Sequence, residues 1–288
     1  MKPCQGPDRA TRTPTFVMPR HAVDTHAHVF GPQARFPLSP ERSYTPEDCT
    51  LEQYVDLLDT LHIDRGVIVH GGAHGTDNAA TLDALDRLDG RIRAILVTPP
   101  GMPLAQRQAL HDRGVRGYRM STVVSGGVGF DALEALADEA RELGWHLLLH
   151  FHASAELVDV ADRLRALPCD YVLDHLARIR ADEGVDSPAF RTVLDLLATG
   201  RCWVKLASLY RLSSEPYPHR DMLPLIHAVI AARPDRMIWG TNWPHPIHVG
   251  PMPNDGDIVD LIPLWAPDPA MQHRMLVENP SRLYGFEI

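Results

Sequence analysis

At 288 residues and 44% hydrophobic content, the chain can bury one large core and is slightly longer than a typical single barrel domain. No window approaches the roughly 18 consecutive apolar residues that a membrane span needs. The formal net charge of −9 excludes the clustered basic footprint of a nucleic-acid surface.

The first twenty residues, MKPCQGPDRATRTPTFVMPR, are polar and proline-rich, without the apolar stretch of a secretory signal. They predict a loose arm on a cytoplasmic protein, with residues 21–288 forming one domain. Eight short runs rich in Val, Ile and Leu then follow, at 22–30, 65–71, 92–98, 115–120, 146–152, 171–175, 203–208 and 237–241. Near-continuous apolar strands are what a sheet buried on both faces requires. Amphipathic stretches separate them, such as LEQYVDLLDTLH after Thr50 and DALEALADEARELG after Phe130, with apolar residues spaced by three and four. The last stretch, PAMQHRMLVENPSRLYGF, predicts a closing helix that stops at Pro280.

Regular alternation of strand and helix means a parallel sheet, and eight units favour a closed (β/α)₈ TIM barrel of the α/β class. No glycine-rich dinucleotide fingerprint follows any strand, which argues against an open nucleotide-binding sheet. Cys4, Cys49, Cys169 and Cys202 are scattered without a CxxC pair and read as reduced structural thiols.

In such a barrel the chemistry sits at the carboxyl ends of the strands. Here those ends collect polar residues: His26 and His28, His70 and His74, Arg119 and Ser121, His150 and His152, Asp174 and His175, Lys205 and Ser208, then Asn242 and His245. His26 and His28 carry the sharpest signal. Residues i and i+2 of a strand share a face, so both imidazoles enter the mouth together, for metal ligation or for joint polarisation of one carbonyl oxygen. By the same alternation Asp174 and His175 face opposite ways, with Asp174 orienting a neighbour or capping a turn. Arg119 and Arg211 ask for an anion, because guanidinium groups bind carboxylates through paired hydrogen bonds. Tyr44 and His74 lie in loops that can reach the same mouth, and Lys205 reads as a buried cation paired with a carboxylate.

The segments VDTHAHVFGP, AHGTDN, GVRGYR, VLDHLAR, KLASLYRLS, WGTNWPHP and VENPSRLYG resemble the amidohydrolase-related lactonases, in order and from about His21 to the C-terminus. The resemblance implies an amidohydrolase-like barrel that opens carboxylated lactones without a metal ion or other cofactor. It places His26, His28 and His175 around the lactone carbonyl, Arg119 and Arg211 on a substrate carboxylate, and Tyr44 and His74 in the pocket wall. Ser121, His150 and His245 join the substrate-binding set by their places at the mouth, and the resemblance implies that residue 242 is the general base.

Two departures from that pattern stand out. The base should be Asp, and Asn242 cannot take a proton. Beyond Arg119, MSTVVSGG lacks a further arginine, and His150 stands where a tyrosine is expected, so a singly anionic or more polar lactone fits better than a doubly anionic pyrone. Asn242 leaves three accounts open: a substituted Asp, another base such as His245, or acyl transfer between substrate hydroxyls as in a lactone isomerase of the same group. One Zn²⁺ on His26, His28 and His150 is the alternative cofactor reading, which would make the chain a zinc-dependent amidohydrolase or decarboxylase. The expected partner is a small carboxylated lactone from aromatic or sugar-acid catabolism, with no nucleic acid and no membrane. A homo-oligomer is left open, as is a barrel that binds carboxylates without catalysis.

Overall fold

The computed structural model describes residues 3–288. Eight strands form one parallel sheet in sequential order: β1 Val23–Ala27, β2 Arg65–Val69, β3 Ile92–Leu96, β4 Val115–Ser121, β5 His146–His150, β6 Tyr171–Leu173, β7 Cys202–Leu206 and β8 Met237–Trp239. The barrel closes just beyond the strands, where His28 N donates to Trp243 O at 2.8 Å and Asn242 N donates to His26 O at 2.8 Å. Seven main helices cover the outside: α1 Leu51–Thr60, α2 Ala79–Arg87, α3 Leu104–Arg113, α4 Leu133–Glu142, α5 Ala155–Ala166, α6 Pro188–Ala198 and α7 Leu223–Ala232. None of the helices in the described residues is long and apolar enough to cross a membrane.

Local chemistry starts these helices where the sequence suggests. Before α1, Thr50 N donates to Gln53 Oε1 at 2.9 Å, which satisfies one of the amides a helix start leaves free. Before α6, Ser187 Oγ accepts from Phe190 N at 3.3 Å, and Pro188 occupies a position that needs no N–H. Leu, Val and Ala on the inner helix faces then pack against the outward side chains of the strands.

The barrel interior is a second, separate layer. Val23, Val67, Val69, Ile95, Leu148, Val172, Trp203 and Ile238 fill it, and Tyr284 and Phe286 pack beneath. This packed floor is what makes the opposite end rigid. Truncating Trp203 to Ala would cost about 3–5 kcal/mol by leaving a cavity that the ring of strands cannot collapse into.

Three features differ from the sequence expectations. The arm is not loose: from residue 3 onward it is tied to the barrel, its first two residues lying outside the described ones. Cys4 N donates to Thr45 O at 2.8 Å, Asn254 Nδ2 to Asp8 Oδ2 at 2.8 Å, and Thr15 N and Phe16 N to Asp260 Oδ1 at 2.7 and 2.8 Å. These partners come from distant loops that a composition-based reading cannot see. The closing helix does not stop at Pro280 but runs through to Tyr284. A π turn at Arg274–Glu278 precedes Pro280, which sits in the first turn of the renewed helix and so breaks no hydrogen bond. Finally, β6 and β8 end earlier than their apolar runs, so Asp174, His175 and Asn242 lie in loops at the mouth.

Candidate active site

The first strand owes its aim to a bulge. Asp24 pairs with Gly66 but Ala27 with Ile68, so β1 carries one residue more than β2 over this stretch. Val23 therefore faces the interior below the bulge, and His26 and His28 face it above. Their Nε2 atoms lie 3.3 Å apart, and His28 Nδ1 bonds Val69 O at 2.8 Å. Asp24 is left on the outer side as a buried clasp. It accepts from Tyr54 on α1 at 3.0 Å, from His26 N at 3.1 Å, and from Thr241 N and Oγ1 at 2.9 and 2.8 Å. One carboxylate thus fixes the first strand against the loop that carries Asn242.

Asp174 and His175 both join the site, contrary to the alternation expected of a strand. Val172 faces inward, so Asp174 two residues on does as well. His175 lies past the end of β6 at φ 51°, in a run of positive φ that extends through Arg178 and turns its ring inward. Such a left-handed run is costly for residues with a Cβ and marks a backbone shaped for its side chains. Asp174 Oδ1 lies 3.1 Å from His26 Nδ1 and Oδ2 lies 3.3 Å from His175 Nε2. Both contacts are short but poorly aligned, and neither oxygen has a well-formed hydrogen bond. His175 Nδ1 bonds Ala207 O at 3.1 Å.

Lys205 is fully buried, but no carboxylate lies within ion-pair distance of it among the described residues. Its ammonium donates to Thr25 O at 2.8 Å and lies 3.4 Å from His26 Nδ1. The expected carboxylate partner is thus replaced by a carbonyl at the β1 end. Burial pulls the Lys205 ammonium down to about 8, with Asp174 and Asp24 opposing. Burial likewise pulls His26 down to about 4, and holds His28, His150 and His175 well below the usual imidazole range. Burial would raise Asp174, but His175, His26 and Lys205 outweigh it and keep the carboxyl ionised.

Two guanidinium groups flank this centre. Arg119 and Ser121 lie on one face of β4, and both reach His150 Nδ1 at 3.2 Å, since Ser121 and His150 are register partners. Arg119 Nη1 also donates to His70 O at 2.9 Å, and Arg211 Nη2 donates to Pro246 O at 2.7 Å. Neither arginine pairs with a carboxylate among the described residues, and the Nε of each is buried without an acceptor. Tyr44 accepts from Ala73 N at 3.2 Å, and His74 stacks on Phe30, its Nε2 buried and unpartnered. His70 is a structural pin, bonded through Nε2 to Gly75 O at 2.9 Å, and His152 is exposed.

Asn242 stands beyond β8 at φ 68°, and its Nδ2 donates to Tyr210 Oη at 3.2 Å and to Ser208 Oγ at 3.4 Å. His245 is fully buried, held between Tyr210 Oη on Nδ1 at 2.8 Å and Asp255 on Nε2 at 3.2–3.3 Å. Tyr210 and Asp255 are functional candidates that sequence reasoning missed. Tyr210 lies beside Arg211 inside KLASLYRLS, but nothing in that run signals its partner 35 residues on. Asp255 opens helix α8 (Asp255–Asp260) and looks like an ordinary first-turn acid.

The three residues expected to hold zinc do not converge as a set. Among the described residues the trio whose ligand atoms all lie within 4.8 Å of one another is His26, Asp174 and His175. His150 instead turns its Nδ1 to Arg119 and Ser121.

Comparison with known proteins agrees with this architecture. The amidohydrolase family model matches residues 23–286. A 4-sulfomuconolactone hydrolase of Hydrogenophaga intermedia is 41% identical, covering 98% of this chain and 94% of the relative. A 2-pyrone-4,6-dicarboxylate hydrolase of Comamonas testosteroni is 40% identical, covering 94% and 92%. A D-galactarolactone isomerase of Agrobacterium fabrum is 30% identical, covering 94% and 93%. A sequentially ordered eight-stranded barrel, matched to that model over almost its whole length, leaves one assignment: the chain belongs to the amidohydrolase family.

Proposed function

We propose that this protein is a lactone hydrolase that opens a carboxylate-bearing ring from aromatic or sugar-acid catabolism. The observation that carries this reading is the pair of unspent Nε donors on Arg119 and Arg211, buried beside a cluster of three imidazoles. A buried guanidinium N–H without an acceptor costs stability, and a substrate carboxylate repays it. The same anchor holds the ring carbonyl over His26, His28 and His175. As water adds to the carbonyl carbon, negative charge grows on its oxygen. The Nε2–H of His26, which otherwise points to His28, and the Lys205 and Arg119 charges beside it stabilise that charge where water is excluded. Tyr44 and His74 wall the pocket, Ser121 and His150 hold Arg119, and Asn242 orients the incoming oxygen.

The protein works without a metal ion in this reading, because Lys205 and Arg119 already more than balance the charge of Asp174. A second reading is favoured by one observation. His175 spends Nδ1–H on Ala207 O and turns an Nε2 lone pair to Asp174, the usual arrangement of a metal-binding histidine, and His26 Nδ1 lies 3.1 Å from the same carboxylate. His26, Asp174 and His175 would then hold one divalent ion, which when bound supplies Lewis-acid polarisation of the carbonyl.

Turnover of a panel of carboxylated and sulfonated lactones in H₂¹⁸O tests the function. Hydrolysis leaves one labelled oxygen in each opened product. An unlabelled product with a shifted ring would replace hydrolysis by isomerisation, and no turnover across the panel would defeat the proposal.

A further inference from the structure

A neutral amide cannot take the proton of an attacking water, so Asn242 leaves the reaction without its expected base. His245 cannot reach that water either. It is fully buried, and both ring nitrogens are occupied, by Tyr210 and by Asp255. Tyr210 is the member of this chain that meets the mouth. It follows Ser208, which sits at φ 61°, and its ring is only half-buried. Its oxygen lies 2.8 Å from His245 Nδ1 and 3.2 Å from Asn242 Nδ2. Asp255, fully buried, lies within ion-pair distance of no other base among the described residues.

Cations and hydrogen-bond donors near the phenol favour its ionised form. The Arg211 guanidinium lies 5.6 Å from the Tyr210 ring centre, and the His248 ring meets it edge-on at 5.1 Å. Arg178 in the loop after β6 lies near enough to interact with its charge, and Asp255 sits on the far side of His245. Burial alone would raise the phenol, but Arg211, His245 and hydrogen bonds from Ser208 and Asn242 bring it below its usual value. Burial opposes charging of His245, yet Tyr210 and Asp255 lift it to about 9. Both directions describe a proton that leaves the phenol for the imidazole.

We propose that Tyr210 is the general base of the reaction, with His245 and Asp255 as the positioning residues that receive its proton and hold the resulting charge. The proposal rests on the hydrolytic reading above. The water oxygen bonds to the carbonyl carbon, and the carbonyl π pair moves onto its oxygen. The water proton passes to the Tyr210 phenolate oxygen, whose own proton already rests on His245 Nδ1 as an imidazolium against Asp255. When the tetrahedral species collapses, the ring C–O bond breaks. The leaving oxygen takes that proton from Tyr210, which returns to the phenolate held by His245. One water is consumed, a hydroxy acid is released, and the relay returns to its starting state. Asn242 then has a defined task. It donates to the phenol oxygen and stabilises the base, where a carboxylate at that position would compete for the same proton.

The test uses Tyr210→Phe, which keeps the ring, with Asp255→Asn as the second variant. Removing a general base should lower kcat by about 10²–10⁴-fold with little change in KM. Asp255→Asn should move the acid limb of the pH–kcat profile, which a merely structural role would leave in place. A measurement independent of turnover is the phenolate absorbance of wild type minus Tyr210→Phe across pH. Tyr210 should ionise below about 10, the free tyrosine value, and Asp255→Asn should raise that midpoint. Lactone turnover in the Tyr210→Phe variant within threefold of wild type would overturn the proposal, and so would a phenol that ionises at or above the free value. A wild type that opens no lactone but shows the lowered phenol would defeat the hydrolytic reading and leave the relay standing.

Discussion

Asn242 donates to Tyr210, with 3.2 Å between Nδ2 and the phenol oxygen. This contact joins the position that lacks its expected carboxylate to a buried His–Asp pair 2.8 Å further on.

Restoring the carboxylate therefore tests the site from the other side. Asn242→Asp exchanges a donor toward Tyr210 for an acceptor, so its gain as a base is offset by the loss of the lowered phenol. Hydrolysis is expected to rise by no more than about tenfold in kcat, well short of the ~10²–10⁴ of a missing general base. Steady-state rates at pH 7 on the best lactone decide it, and a rise of several hundredfold would mean that the present chain has no working base.

Arg211→Gln should act on binding. Losing a charge-assisted hydrogen bond costs about 1.5–3 kcal/mol, which predicts a KM raised about 10–150-fold with kcat little changed. A lactone of the same ring without its carboxylate is the control and should be insensitive to the substitution. Equal loss on both would show that Arg211 does not read the carboxylate.

Asp24 predicts a pH dependence of stability. Burial pushes its carboxyl up to about 6, against hydrogen bonds from Thr241, His26 and Tyr54 that lower it. The folded state therefore binds the proton more tightly than the unfolded chain, and stability from this group falls as pH rises from about 4 to about 6. The expected fall is about 3 kcal/mol, complete above that window. Denaturant unfolding of wild type and Asp24→Asn at pH 4, 5, 6 and 7 measures it. The wild type should lose ground relative to the variant across that range, and parallel curves would refute the assignment.

Metal content separates the two readings of the imidazole cluster. The purified protein is expected to carry substoichiometric metal and to keep its activity after dialysis against a chelator. Stoichiometric metal by elemental analysis, lost in His175→Ala, would establish the divalent site at His26, Asp174 and His175 instead.

The arm should come free when its anchor is removed. Asp260 accepts from Thr15 N, Thr15 Oγ1, Phe16 N and Arg12 Nη2. Asp260→Ala is expected to open residues 3–20 to limited proteolysis while the barrel resists, whereas an equally resistant arm would show that the anchor lies elsewhere.

The sequence by itself determined the architecture and the centre of the site. Strand runs with continuous apolar character need cover on both faces, and eight of them alternating with amphipathic helices leave a barrel as the consistent packing. His26, His28, Arg119 and Ser121 were legible because the period of two on a strand, together with the rule that strand ends carry the chemistry, fixes where they point. Tertiary structure decided what no period governs. Past the strand ends the backbone enters positive φ at His175, Ser208, Asn242 and His245, and side-chain direction there follows turn geometry. His175 turns inward beside Asp174 for that reason. Tyr210, His245 and Asp255 meet only because the loops after β7 and β8 fold over the same sector of the mouth. Asn242, read alone, looks like a lost base, and in the folded chain it supports another one.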